Sequence, residues 1–131
     1  MKLLLDTHVF LWMLERPENI NASTLSLIQE PANELLLSAA SVWELSIKYA
    51  IGKIALPLPP GEYVALRCDR IGVAALPISF EHAAAVAQLP LIHSDPFDRM
   101  LVAQALVESL TIVTADLKIE AYAAGTISAR R

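Results

Sequence analysis

Short apolar runs alternate along the chain with stretches in which apolar residues recur at helical spacing. Four runs have the length and composition of buried strands and lie at 2–5, 34–38, 74–77 and 110–114. Six stretches have helical periodicity and lie at 9–14, 21–29, 39–51, 62–70, 79–87 and 96–107. Because strands and helices alternate, the pattern predicts an α/β fold built on a central parallel sheet.

The length of 131 residues suits one domain with a hydrophobic core of its own. The proline-rich turn at 57–60 is expected inside that domain, since neither side of it is long enough to fold alone. We therefore predict a single domain over residues 1–131. The C-terminal segment 125–131 is small and polar, and we expect it to be loosely held. No apolar run approaches the roughly 20 residues that span a bilayer.

Composition and charge narrow the possible functions. Apolar residues make up 55% of the chain, which suggests a protein–protein interface in addition to a core. The single cysteine, Cys68, forms no intramolecular disulfide and gives no metal-finger spacing, which fits a reducing cytoplasm. The net charge of −4 argues against a passive nucleic-acid binder, because such proteins are normally basic. It does not argue against an enzyme whose carboxylates bind cations that in turn bind phosphate.

Acidic residues occur where two predicted strands end and where one helix begins. Asp6 and Asp116 directly follow apolar strands, and the carboxyl ends of parallel strands form the ligand-binding edge of an open sheet. Asp98 lies in the first turn of the helix that begins at Asp95 and Pro96, where the helix dipole favours anions. Each of these acids equally suits a capping or dipole role, so position alone leaves both interpretations open.

Glu44 differs because it lies in the middle of an apolar helix, where a charged side chain risks burial. A lone buried carboxylate is costly unless it is paired or bound to a cation. Lys48, four residues on, offers a helical ion pair as the purely structural explanation. If several acids converge at one edge they raise one another's pKa values, and a hard divalent cation such as Mg²⁺ or Mn²⁺ relieves the repulsion. Spacing does not by itself establish that convergence.

Four segments carry a resemblance to a known family. They are Leu4-Leu5-Asp6-Thr7-His8, Ser41-Val42-Trp43-Glu44-Leu45-Ser46-Ile47-Lys48, the stretch from His93 to Ala105 with Asp95-Pro96-Phe97-Asp98-Arg99 inside it, and Ile112-Val113-Thr114-Ala115-Asp116. Together and in this order they resemble the PIN-domain family, in particular its bacterial toxin branch, the VapC-like ribonucleases of toxin–antitoxin pairs. The resemblance extends from near the first residue to Asp116.

The resemblance implies a fold, a reaction and partners. The fold is an α/β/α sandwich around a short central parallel sheet. The implied catalytic acids, which bind one or two Mg²⁺ or Mn²⁺ ions, are Asp6, Glu44, Asp98 and Asp116. The implied reaction is RNA hydrolysis to 5′-phosphate and 3′-hydroxyl ends, and the implied partners are a cognate antitoxin and a second copy in a homodimer. Two alternatives stay open: a PIN nuclease of RNA processing outside toxin–antitoxin systems, and a catalytically silent PIN-like binding module. Retention of all four acids speaks against the silent module.

Further candidates lie close to these acids. Asp95 is either an auxiliary metal ligand or only the cap of its helix. Thr7 and Thr114 either orient carboxylates or are ordinary cap and strand-end residues. Lys48 and Arg99 either contact the phosphate of the substrate or form neutralising salt bridges.

Two histidines and a tryptophan flank the acidic segments. His8 and His93 are expected to be hydrogen-bonded scaffolding rather than general bases. Trp43 is expected in the core or in a dimer interface rather than as a stacking platform for a nucleobase. The RNA target does not follow from the acids, because selectivity depends on the surface shape around the groove.

Overall fold

The computed structural model describes residues 1–131 and contains a five-stranded sheet. The strands are β1 (Lys2–Leu5), β2 (Glu34–Ser38), β3 (Val73–Leu76), β4 (Thr111–Thr114) and β5 (Thr126–Ser128). Their order across the sheet is β3-β2-β1-β4-β5, and every neighbouring pair is parallel. The prediction of an α/β fold with a central parallel sheet is confirmed.

Helices connect the strands on both faces of the sheet. They are α1 (Thr7–Glu15), α2 (Ala22–Gln29), α3 (Ala39–Ala50), α4 (Pro60–Ile71), α5 (Phe80–Ala85), α6 (Pro96–Glu108) and α7 (Leu117–Glu120), with 3₁₀ turns at Pro17–Asn19 and Val86–Gln88. The six predicted helices are all present, with ends shifted by up to two residues, whereas the one-turn helix α7 was too short to show a periodicity. None of the helices combines the length and the apolar character that a bilayer crossing requires.

The sheet is buried on both faces, which explains why its strands are continuous apolar runs. In β1, the side chains of Leu3 and Leu5 belong to one hydrophobic cluster, formed with residues of α1 to α4. Leu4 points to the other face and joins a cluster formed with residues of α6 and α7. All three leucines are fully buried. The fold is therefore a three-layered α/β/α sandwich, as the resemblance to the PIN-domain family implies.

The prediction of a loosely held C-terminal segment is wrong. Strand β5 pairs with β4 and places Ser128 beside Thr114. Ala129 is fully buried, its amide N–H donates to the carbonyl of Thr114, and its own carbonyl accepts from the amide of Asn21. The Asn21 side-chain amide also donates to the carbonyls of Ser128 and Arg130. Three half-buried residues are too few to show strand alternation, so this strand depends on contacts that the sequence pattern does not reveal.

The parallel register brings several strand ends to one edge of the sheet. Leu5 aligns with Leu37 in β2 and with Val113 in β4. The residues that follow these three positions therefore lie side by side at the carboxyl edge. Two of them are Asp6 and Thr114, and the edge that they share is the place where an open α/β sheet binds its ligands.

Candidate active site

Asp6 and Asp116 stand at the carboxyl ends of the neighbouring strands β1 and β4. Asp6 begins α1 by accepting the amide N–H of Val9 at 2.7 Å, and Asp116 begins α7 by accepting that of Lys118 at 2.8 Å. Both acids line one cleft of about 250 Å³, together with His8. Capping engages one carboxylate oxygen of each acid, so the capping role and a role in the cleft are compatible.

Glu44 is 3% exposed although it lies in the middle of α3. Its Oε1 accepts the hydroxyl of Thr7 at 2.7 Å, and its Oε2 pairs with Lys48 Nζ at 2.6 Å. The Oγ of Ser41 lies 2.9 Å from the Thr7 hydroxyl oxygen. The helical ion pair that the sequence suggests is thus present, and it supplies the positive charge that this buried carboxylate requires.

Asp98 lies in the first turn of α6, which Asp95 caps by accepting the amide N–H of Asp98 at 3.4 Å. Burial raises the pKa of Asp98 to about 7, and the charges of Asp95, Glu44 and Asp6 add to this rise while His93 opposes it. Asp98 is therefore within electrostatic reach of Asp95 and of two other candidate catalytic acids, Glu44 and Asp6. An acid of this kind is crowded by negative charge and poorly solvated.

The pKa values of Asp6 and Asp116 shift in opposite directions. Burial raises the pKa of Asp6, against the effect of hydrogen bonds from Thr114 and Val9. Partial burial acts the same way on Asp116, but it is outweighed by hydrogen bonds from the Lys118 amide and the His93 imidazole, so the pKa of Asp116 is lowered. Asp116, the more exposed acid, is thus ionised more readily than Asp6 and Asp98, whose pKa values are raised by burial.

His93 connects Asp98 and Asp116. Its Nε2 lies 2.9 Å from Asp116 Oδ2 and 3.0 Å from Asp98 Oδ2. One ligand atom from each of the three residues fits within a span of 4.8 Å. The expectation of hydrogen-bonded scaffolding describes these contacts, but the sequence does not reveal that the ring lies between two acids, because Asp116 is 23 residues away.

Arg99 and Tyr122 brace the segment that carries His93. The Arg99 guanidinium donates to the carbonyls of Pro90 at 2.9 Å and Val86 at 3.3 Å, and to Tyr122 Oη at 3.2 Å. The Tyr122 oxygen also accepts the backbone N–H of His93 at 2.8 Å. These contacts favour a structural role for Arg99 over either alternative weighed from the sequence. No sequence pattern indicates the role of Tyr122, since a single tyrosine after a short helix is typical of an ordinary core residue.

Trp43 is 57% exposed, so its expected place in the core is wrong for the single chain. Its ring meets that of Phe97 edge to face, with 4.9 Å between the centroids. These two aromatic residues directly precede Glu44 and Asp98 in the sequence. The location of Trp43 in a dimer interface stays a prediction.

Comparison with known proteins relates most of the chain to one family. The family model described as PIN domain matches residues 3–125. Ribonuclease VapC22 of Mycobacterium tuberculosis is 28% identical over 119 residues, which are 91% of this chain and 90% of that protein. Ribonuclease VapC16 of the same organism is 41% identical over 61 residues, but this match covers only 47% of the chain and 43% of VapC16.

Solved structures share the fold over almost the full length. The crystal structure of VapBC2 from Rickettsia felis, bound to a DNA fragment from their promoter, matches with a TM-score of 0.73 and 16% identity over 98% of both chains. FitAcB from Neisseria gonorrhoeae matches with a TM-score of 0.62 and 26% identity, over 95% of this chain and 96% of that one. With the family model covering the chain from the first strand almost to the last, this chain belongs to the PIN-domain family.

Proposed function

We propose that this protein is a divalent-metal-dependent ribonuclease toxin that hydrolyses RNA phosphodiester bonds and is neutralised by a cognate antitoxin. Membership of the PIN-domain family and similarity to proteins named ribonucleases support the reaction. The observation that carries the proposal is the crowding of carboxylates at one sheet edge, where the pKa of Asp98 is raised to about 7 by burial and by the neighbouring acids.

Four acids are proposed to bind one or two Mg²⁺ or Mn²⁺ ions, namely Asp6, Glu44, Asp98 and Asp116. The donor set fits such ions, because hard divalent cations prefer carboxylate oxygens. Burial also raises the pKa of Asp6, so the cluster holds desolvated negative charge that a cation would stabilise. Within the protein, the positive charge of Lys48 offsets that of Glu44, whereas Asp98 and Asp116 have the His93 ring nitrogen Nε2 as their neighbour.

A bound divalent ion supplies Lewis-acid stabilisation of the scissile phosphate and lowers the pKa of an attacking water. The residues of this chain orient the carboxylates for that task. The hydroxyls of Thr7 and Thr114 donate to Glu44 and Asp6 and so hold one oxygen of each acid. We infer products with 5′-phosphate and 3′-hydroxyl ends and no requirement for the ribose 2′-hydroxyl. Asp95 has a well-supported role as the cap of α6 and adds negative charge near Asp98.

The proposal includes two protein partners, an antitoxin and a second copy of this chain. The similar structures named VapBC and the toxin–antitoxin complex from Klebsiella pneumoniae support the first partner. An apolar groove of about 630 Å³ lies between α3, α4 and β3, and Trp43 and Cys68 are among its lining residues. We propose that a partner chain covers this groove, because most of its lining is apolar and the Trp43 side chain beside it is exposed in the single chain.

Cleavage of RNA by the purified protein tests the proposed reaction. We expect cleavage with Mg²⁺ or Mn²⁺, none with a chelator, and new 5′-phosphate ends when the fragments are mapped. Asp6→Asn and Glu44→Gln should abolish it, whereas Asp69→Asn, at an exposed acid on α4, should not. Cleavage that persists in Asp6→Asn, or that needs no metal, would contradict the proposal. Complete inactivity with bound metal would favour the silent binding module.

The toxin assignment needs its own test, because a PIN nuclease of RNA processing would pass the first. Induced expression should arrest growth, and co-expression of the small reading frame directly upstream should relieve the arrest. Mapping of 5′-phosphate ends across cellular RNA should then show cuts confined to a few structured targets. A uniform scatter of cuts, or growth that is unaffected by expression, would contradict a target-specific toxin.

A further inference from the structure

Both ring nitrogens of His93 have partners within the protein. Nε2 lies 2.9 Å from Asp116 Oδ2 and 3.0 Å from Asp98 Oδ2. On the other side of the ring, Nδ1 accepts the backbone N–H of Asp95 at 3.2 Å. The side chain is 10% exposed, so water has little access to either nitrogen.

The contact with Asp95 decides which nitrogen carries the proton. A backbone amide only donates, so Nδ1 of His93 must offer its lone pair, and the hydrogen of the neutral ring is then on Nε2. That N–H faces the oxygen of Asp116, which only accepts when the carboxylate is ionised. Coordination of a metal by Nε2 would move the proton to Nδ1. The Nδ1–H and the Asp95 N–H would then be two donors facing each other. The geometry therefore makes His93 a hydrogen-bond donor to the acids and not a ligand of the ion.

We propose that His93 is a positioning residue of the metal site, which draws the Oδ2 atoms of Asp98 and Asp116 together before an ion binds. The two carboxylates come from separate elements, α6 and the end of β4. Once both are ionised, their like charges drive them apart unless a donor lies between them. A carboxylate oxygen has two lone-pair positions, so a hydrogen bond from His93 leaves one for an ion. The inference rests on the proposed function, because it assumes that these two acids bind the ion.

The backbone of His93 is held in place independently of its ring. Its N–H donates to Tyr122 Oη at 2.8 Å, and the same oxygen accepts from Arg99 Nη1 at 3.2 Å. Arg99 also donates to the carbonyl of Pro90, at the start of the irregular segment that carries His93. Since Arg99 directly follows Asp98 in α6, this arrangement links the position of the segment to the position of the acid.

Two substitutions separate the donor role from the volume of the ring. His93→Gln retains an N–H donor at about the place of Nε2, whereas His93→Phe keeps the ring and removes the donor. We expect Mn²⁺ binding, measured by calorimetry, to weaken by about tenfold or more in His93→Phe and by no more than about threefold in His93→Gln. Equal affinity in wild type and His93→Phe would overturn the inference, as would a loss in His93→Gln as large as in His93→Phe.

The tautomer is observable without any variant. Long-range ¹H–¹⁵N correlation spectra of the metal-free protein in mildly alkaline buffer should show Nε2 of His93 protonated and Nδ1 unprotonated, and addition of Mg²⁺ should leave this pattern unchanged. A proton on Nδ1, or its transfer there on addition of Mg²⁺, would make His93 a ligand and overturn the inference. Absence of Mn²⁺ binding in the wild type would instead contradict the proposed function, so the two failures are distinguishable.

Discussion

Thr114 donates its hydroxyl hydrogen to Asp6 Oδ2 across 2.5 Å. The same hydroxyl oxygen accepts the backbone N–H of Asp116 at 3.0 Å. The last residue of β4 therefore connects the acid that follows β1 with the acid that follows its own strand. Thr114 is fully buried, so no water can replace its hydroxyl if it is removed.

Replacement of Thr114 by valine, which keeps the shape and removes the hydroxyl, should affect both stability and metal binding. We expect the free energy of unfolding to fall by about 1–3 kcal/mol, because the buried carboxylate oxygen of Asp6 and the half-buried amide of Asp116 lose their partner. Mn²⁺ affinity should also fall, since Asp6 is then free to turn away. Thr114→Ser retains the hydroxyl and is the matched control. Urea unfolding and Mn²⁺ titration measure the two effects. No loss in Thr114→Val, or a loss in Thr114→Ser as large as that in Thr114→Val, would show that the effects do not come from the hydroxyl.

The sequence predicts the strands, the sheet edge and the acids because each depends on a local pattern. Leu3-Leu4-Leu5 and the Asp6 that follows are sufficient to place an acid at a strand end. Strand β5 depends instead on the open side of β4 and on the Asn21 side chain, which donates across 107 residues to Ser128. The placement of His93 between two acids also needs the folded chain, since periodicity shows which face a residue occupies but not which distant side chain it meets.

Lys48 should compete with a metal ion for Glu44. Lys48→Gln leaves the carboxylate of Glu44 buried with only the Thr7 hydroxyl as a partner. We expect the unfolding free energy of the metal-free protein to fall by about 1–2 kcal/mol, a modest loss because Lys48 is 38% exposed. The rise in melting temperature on addition of Mn²⁺ should be larger than in the wild type, because the ion replaces the missing charge.

Thermal melts with and without Mn²⁺ measure this competition. Lys53→Gln removes the same charge at an exposed position and serves as the control. If the rise in melting temperature with Mn²⁺ is the same in Lys48→Gln, Lys53→Gln and the wild type, then Glu44 and the ion do not interact.

Asn21 should anchor the C-terminal strand. Its side-chain oxygen caps α2 by accepting the amide of Thr24, and its side-chain nitrogen donates to the carbonyls of Ser128 and Arg130. Asn21→Ser retains the capping oxygen and removes both donors. We expect a loss of about 1–2 kcal/mol in unfolding free energy and faster amide exchange at Ala129. Ser26→Ala, at an exposed position of the same helix, is the control, and unchanged exchange at Ala129 would contradict the anchoring role.

The stability of the metal-free protein should decrease as the pH rises toward neutrality. Burial, followed by the charges of nearby acids, raises the pKa of Asp98 from 3.8 to about 7. Between these values the folded state retains a proton that the unfolded state has released, so stability falls as the pH increases through this window. The raised pKa of Asp6 acts in the same direction. Asp98→Asn should flatten the dependence measured by urea unfolding, and an equally steep dependence in this variant would assign it to other groups.

The affinity for a metal ion should increase as the pH rises toward neutrality. An ion binds the ionised form of Asp98 and must displace its proton below neutral pH. We expect the apparent dissociation constant for Mn²⁺ to rise by about tenfold for each pH unit below about 7. Calorimetry in two buffers of different ionisation enthalpy should detect release of about one proton per binding event in this range. Glu62→Gln, at an exposed position of α4, should behave as the wild type. Binding that is independent of pH in this window would mean that Asp98 is already ionised without the ion, and that burial does not control its charge.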